Sequence, residues 1–244
     1  MIELISNRYS FTARLQPALL AILPVPVAIY LLVPELETRA ATFVSILGYF
    51  GGSILLTHIG RNLGKSRESK LFREWGGKPS VTMLRHSDRR LNAISKARYH
   101  KFLAQNIPNF SLPDLNSENG NKVKADEAYS SASDWLVAKT RDKEKFPLVY
   151  EENINYGFRR NYWGLKWVAL SCDCILLVII IIPQMAISYN FFDWLFSFNN
   201  EQKIVLVVTI IHFALTLFIT SAGWVKTMAE SYAKQLISSC DSIS

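Results

Sequence analysis

A carboxylate and an imidazole set in otherwise apolar sequence are where chemistry would be expected first. Asp173 sits in LSCDCILLVIIII and His212 in VLVVTIIHFALTLFIT. An ionisable side chain in hydrocarbon is costly, and by default it marks a pathway or a specific partner. Each falls near the middle of its apolar stretch, so a polar contact between them is expected. Thr209, His212, Thr216 and Thr220 follow at spacings of three and four, which puts them on one helix face. Such a stripe would line a water-filled pore or hydrogen-bond neighbouring helices.

Basic residues form a second set. Arg85, His86, Arg89 and Arg90 precede Arg98, Tyr99, His100 and Lys101, and Arg159 and Arg160 follow later. The planar guanidinium fork suits bidentate phosphate binding, so converging clusters would hold an anionic, nucleotide-like ligand. The competing expectation is a solvated face attracted to anionic headgroups, worth ~1 kcal/mol per residue near a membrane. Arg159 and Arg160, just before an apolar stretch, fit headgroup contact. The segment Trp75-Gly76-Gly77-Lys78-Pro79 reads as a structural turn; its N–H groups would suit an anion, but it lacks P-loop spacing and no strand precedes it.

Enzyme signatures are poor. His58, His86, His100 and His212 show no metal-ligand spacing, and no G-x-S-x-G nucleophile motif occurs. No catalytic residue, metal or cofactor is therefore expected. Cys172 and Cys174 lie within an apolar stretch and Cys240 near the C-terminus, a pattern with no disulfide framework.

The elements that must carry these residues are apolar stretches of membrane length. Crossing a ~30 Å hydrocarbon core takes roughly 20 apolar residues in a helix. Pro17–Val33, Ala41–Thr57, Leu165–Ile187 and Ile204–Trp224 qualify, predicting four transmembrane helices. The first continues past any cleavage point and has no A-x-A-like site, so it reads as a retained anchor rather than a signal peptide. Pro24 and Pro26 should kink it. Gly48 and Gly52 give the second span a G-x-x-x-G packing face.

Of 27 Lys and Arg, only Arg39 and Lys203 fall in the short loops Pro34–Ala40 and Ser188–Lys203. The positive-inside rule then places both termini in the cytoplasm, with residues 58–164 between spans two and three as a cytoplasmic domain. The aromatic outer loop Tyr189–Phe198 should lie in the membrane interface. The net charge of +7 is absorbed by this topology, which argues against nucleic acid as a partner and for anionic headgroups.

The predicted fold class is all-α: residues 1–16 as an N-terminal arm, 17–57 and 165–224 as transmembrane hairpins, 58–164 as an all-helical domain, and 225–244 as a tail. Within the domain, His58–Glu74 should extend the second span until the Gly-Gly-x-Pro turn ends it. Ser80–Gln105 reads as a helix capped by Ser80 and broken near Ser87–Asn92, Asn106–Asn121 as a loop, Lys122–Asp142 as a helix, and Leu148–Trp163 as a helix running into the third span.

Two stretches carry a resemblance. Trp75-Gly-Gly-Lys-Pro-Ser-Val-Thr-Met-Leu-Arg-His86 and Glu152-Asn-Ile-Asn-Tyr-Gly-Phe-Arg-Arg-Asn-Tyr-Trp-Gly-Leu-Lys166 resemble a family of uncharacterised bacterial four-span membrane proteins with W-G-G-x-P, L-R-H and Y-G-F-R-R-N motifs. The resemblance implies a bacterial inner membrane and supplies no mechanism. With the polar residues above, the expected function is an oligomeric membrane effector or channel gated by a cytoplasmic sensor domain, of a design suited to stress or phage defence. The alternative is a non-conducting anchor that recruits a cytoplasmic protein partner.

Overall fold

Prolines and glycines divide the chain into its helices. The computed structural model describes residues 7–33, 39–187, 190 and 197–243, with 39–45, 47, 186 and 187 in backbone only, and no strand occurs among them. Contacts divide it into two compact units: unit 1 comprises residues 1–66 and 157–221, and unit 2 comprises 67–156 and 222–244.

Unit 1 begins with α1 (Arg8–Ala21) and α2 (Pro24–Leu32). Neither Pro24 nor Pro26 has an N–H, so the carbonyls of Leu20 and Ile22 lose their i+4 donors. They accept instead from Leu23 and Val25 in tight turns, and the chain bends by 46°. The expected kink is there, and it leaves a carbonyl partly free inside an apolar unit.

Two further helices, α3 (Arg39–Glu74) and α8 (Pro147–Ile187), belong to both units in sequence. Unit 1 is completed by α9 (Asn200–Ile219), which opens on a capping box between Asn199 and Gln202. Among the described residues, two helices, α8 and α9, are long and apolar enough to cross a membrane, with mean hydropathies of 2.4 and 2.1; α1 and α2 make a third if the bent pair is one span. Their outer surfaces carry exposed Ile175, Val178, Ile179 and Ile182 on α8, and Val207, Ile211, Leu215 and Phe218 on α9. An apolar surface of that extent suits lipid rather than water. The fourth expected stretch, Ile204–Trp224, is interrupted at Thr220–Ser221, where α9 ends and α10 (Ala222–Ser238) starts within unit 2. Most of the loop Tyr189–Phe198 lies outside the described residues.

The close helix contact in unit 1 is not at the expected glycines. A Cβ added to Gly48 or Gly52 would meet nothing within 4 Å. At Gly164 it would sit 2.7 Å from the Gly64 nitrogen and 2.9 Å from the Gly60 oxygen, so α3 and α8 touch backbone to backbone. Gly60 and Gly64 form a second G-x-x-x-G, hidden in sequence because charged residues surround it.

Unit 2 contains α4 (Pro79–Thr82), α5 (Ala93–Asn106), α6 (Leu115–Gly120), α7 (Lys122–Lys139) and α10. Leu84, Leu103, Tyr129, Leu136, Leu236 and Ile237 form its core, all fully enclosed. Three expectations change. The break expected near Ser87–Asn92 is there, spanning residues 83–92, but the side chain that caps the longer helix belongs to Asn92 and not to Ser80. Ser80 is buried and bonded to Ser133 at 2.7 Å. The loop 106–121 contains α6, and residues 225–243, expected as part of a tail, contribute to the core of unit 2.

The backbone contact makes a signed prediction. Gly164→Ala forces α3 and α8 apart and should cost ~1–3 kcal/mol, as overpacking does. Gly48→Ala, with open space around it, should gain up to ~1 kcal/mol of helix propensity. Thermal melting of the detergent-solubilised protein should move in opposite directions for the two; matching shifts would contradict the contact.

Candidate functional site

In unit 1, Asp173 is fully buried and His212 lies against it, Nδ1 at 2.8 and 3.0 Å from the two carboxylate oxygens. The other ring nitrogen, Nε2, is 2.9 Å from the Leu20 carbonyl freed by Pro24. A carbonyl only accepts, so Nε2 must carry a proton. One more proton lies between Nδ1 and the carboxylate, whichever atom owns it. The pair is thus neutral as a whole, the condition under which ionisable groups persist in hydrocarbon.

Around the pair, Tyr162 places its hydroxyl 2.8 Å from the Thr216 hydroxyl and 3.4 Å from Nε2 of His212. Thr209, Thr216 and Thr220 are all buried. Thr209 donates to the Val205 carbonyl at 2.7 Å, within its own helix. Lys166 donates to the carbonyls of Leu217 and Thr220 at 2.9 and 2.8 Å, capping the C-terminal end of α9 where orphan carbonyls collect. Asn161, buried, donates to the Ala13 carbonyl in the π-helical turn Phe11–Leu15. Sequence reasoning named Asp173, His212 and the threonines but missed Lys166, Asn161 and Tyr162. A lysine one residue inside an apolar stretch was the available signal for the first.

Unit 2 distributes the basic clusters among internal partners. Arg85 is a buried bidentate partner of Asp126 (2.7 and 2.6 Å) and also donates to the Gly76 carbonyl at 3.0 Å. That contact seals the turn after α3, where Gly76 and Gly77 have φ of +80° and +134° and Gly77 N–H closes onto Phe72 O. Pro79 then occupies the first position of α4, and Trp75 packs near Phe72. Arg90 joins Asp88, Glu230 and Thr82; Arg98 forms a two-bond pair with Asp241. Glu230 and Asp241 both come from the C-terminal segment. Arg159 and Arg160 belong to unit 1, and both are engaged.

What remains grouped on one wall is His86, Arg89, Lys96 and His100. Their segment is held by Glu118, which accepts from the N–H groups of His86 (2.7 Å) and Ser87 (3.2 Å), the Ser87 hydroxyl and the buried Tyr129 hydroxyl. Burial opposes the charge on Glu118, but these donors outweigh it and hold its pKa at about 2, against 4.5 ordinarily. His100 donates from Nε2 to the Leu84 carbonyl at 2.8 Å, and burial pushes its pKa down to about 4 from 6.5. Burial likewise pushes the Cys240 thiol up to about 12, which removes it as a nucleophile. Among the described residues, no group of three or more His, Cys, Asp or Glu is placed to hold a metal.

These shifts fix the acid behaviour of unit 2. The unfolded chain takes up a proton at His100 as pH falls from 6.5 to about 4, while the folded ring stays neutral, so stability drops in that window. Glu118 contributes stability above pH 4.5 that is lost toward pH 2, where its folded carboxylate protonates. Melting from pH 7 downward should show a falling Tm whose upper part flattens in His100→Gln and whose lower part flattens in Glu118→Gln. A wild-type Tm constant between pH 7 and 4 would exclude the neutral buried His100. Comparison of the chain with family models, with curated proteins and with solved structures gives no match.

Proposed function

We propose that the chain is a four-span bacterial inner-membrane protein, with unit 2 and both termini in the cytoplasm, that acts as an oligomeric gated effector or channel. The observation that carries this is the Asp173–His212 pair. Two apolar residues of similar volume would hold a bundle together at least as well, since desolvating a charge pair offsets its attraction. An ionisable pair in lipid surroundings therefore points to a use beyond stability.

In this reading the pair is the closed latch. Unit 2 senses an anionic ligand or a protein partner, and the continuous helices α3 and α8 carry the response to Asp173. The motif resemblance and the sparsely charged short loops support the membrane and its sidedness. The open faces of Gly48 and Gly52 are where a second copy would pack. A defence role for such depolarisation is an analogy from architecture.

A second reading, a non-conducting anchor for a cytoplasmic partner, is favoured by one specific observation. Thr209, Thr216 and Thr220 are buried, with their hydroxyls or carbonyls engaged inside unit 1, so within one protomer they face packing rather than an open path.

Ion flux from liposomes separates the two. The effector reading expects flux on addition of a soluble extract of stressed cells, abolished by Asp173→Asn with the oligomer intact. Absence of flux in both proteins, with reconstitution verified, leaves the anchor; retained flux in Asp173→Asn removes the latch.

A further inference from the structure

In unit 2, the chain from His86 to Ala97 faces Leu112 across a cleft of about 720 Å³, a volume in the range that holds a small ligand. Its wall carries one uncommitted cation and two uncommitted acceptors, the Nδ1 atoms of His86 and His100. Arg89 is exposed, and among the described residues its guanidinium has no hydrogen bond or ion pair, whereas Arg85, Arg90 and Arg98 are each paired. His100 is only 6 % exposed. Its Nε2 must carry the proton given to Leu84 O, so Nδ1 is a bare acceptor, unpartnered among the described residues and not sealed from solvent.

The surroundings favour an anion. His86 stands edge-on to His100 with ring centres 4.9 Å apart and its Nε2 on the Pro113 carbonyl; its open Nδ1 is a second acceptor for a ligand's donor and adds nothing to the hold on an anion. Lys96 adds charge without reach, its ammonium held by the carbonyls of Arg85 and Asp88. The carboxylate on the wall, Asp88, is neutralised by Arg90. The positive end of α5 opens beside them at Asn92 and Ala93.

We propose that this cleft binds a soluble phosphate monoester of nucleotide size that carries a hydroxyl or N–H donor. Arg89 takes the phosphate through its fork, and Nδ1 of His100 accepts the donor. Inorganic phosphate has its P–OH donors only on the group that Arg89 holds, so it meets both residues less well than a monoester whose donor sits on a separate arm. This site rests on the reading of unit 2 as a ligand sensor. A membrane phosphatidate offers the same phosphate chemistry from a headgroup, and the experiment separates the two sources.

The test is calorimetric titration of the full chain in neutral phosphatidylcholine nanodiscs with adenosine 5′-monophosphate, inorganic phosphate and adenosine. Saturable binding is expected for the monophosphate, weaker binding for phosphate, and none for adenosine. Arg89→Ala should weaken the monophosphate by about tenfold or more, the worth of a charge-assisted pair, while Arg141→Ala, at an exposed position, leaves it unchanged. The proposal falls if neither phosphate compound saturates at millimolar concentration, or if both variants weaken binding equally. Loss of monophosphate binding when phosphatidate is built into the nanodisc would reassign the cleft to a headgroup. Since flux is not measured, failure here leaves the effector reading standing, and failure of flux leaves this binding result intact.

Discussion

The buried polar groups described in unit 1 answer to one constraint: an apolar interior offers no water to satisfy a donor or an acceptor. A proline that cannot donate leaves the Leu20 carbonyl short of a partner, His212 supplies an N–H to it, and Asp173 balances the histidine. The three groups come from different helices, so their mutual satisfaction also fixes how α1, α8 and α9 are placed around one another. Lys166 obeys the same rule at the end of α9, and Asn161 at the π-helical turn of α1. Each side chain closes a defect that the backbone creates.

Unit 2 solves a different problem, that of too many cations. Asp126, Glu230 and Asp241 draw Arg85, Arg90 and Arg98 into internal pairs, and Glu118 ties down the chain that carries His86 and Ser87. Arg85 and Glu118 are the buried ions of this set, and a buried, hydrogen-bonded ion is costly to break from one side, because the partner is left uncompensated. The consequence for recognition is subtraction. Among the described residues of the cleft wall, one uncommitted guanidinium stands beside a pair of imidazoles.

Much of this was legible in the sequence where a property is local. Apolar length gave the helices α8 and α9; the paired prolines gave the bend; Gly76, Gly77 and Pro79 gave the turn that ends α3. The contact between Asp173 and His212 was also readable, since few partners exist for an ion in apolar surroundings. What could not be read was pairing between distant residues. Nothing local joins Arg98 to Asp241 or Glu118 to Ser87, so residues that share a sequence cluster part company in space. Helix termini shifted for the same reason: Thr220 ends α9 inside an apolar stretch, where Lys166 from another helix takes up its carbonyl. The glycine contact within unit 1 went unread because Gly60 and Gly64 stand among polar residues and do not resemble a membrane motif.

That glycine contact sets a mechanical limit. Helices that meet through side chains can trade rotamers and slide, but α3 and α8 meet at Gly60, Gly64 and Gly164 with main chain against main chain. No torsion there can relax to absorb a displacement. The crossing therefore behaves as a fulcrum: any motion of one helix against the other must pivot about that point, and the ends farthest from it sweep the largest arcs.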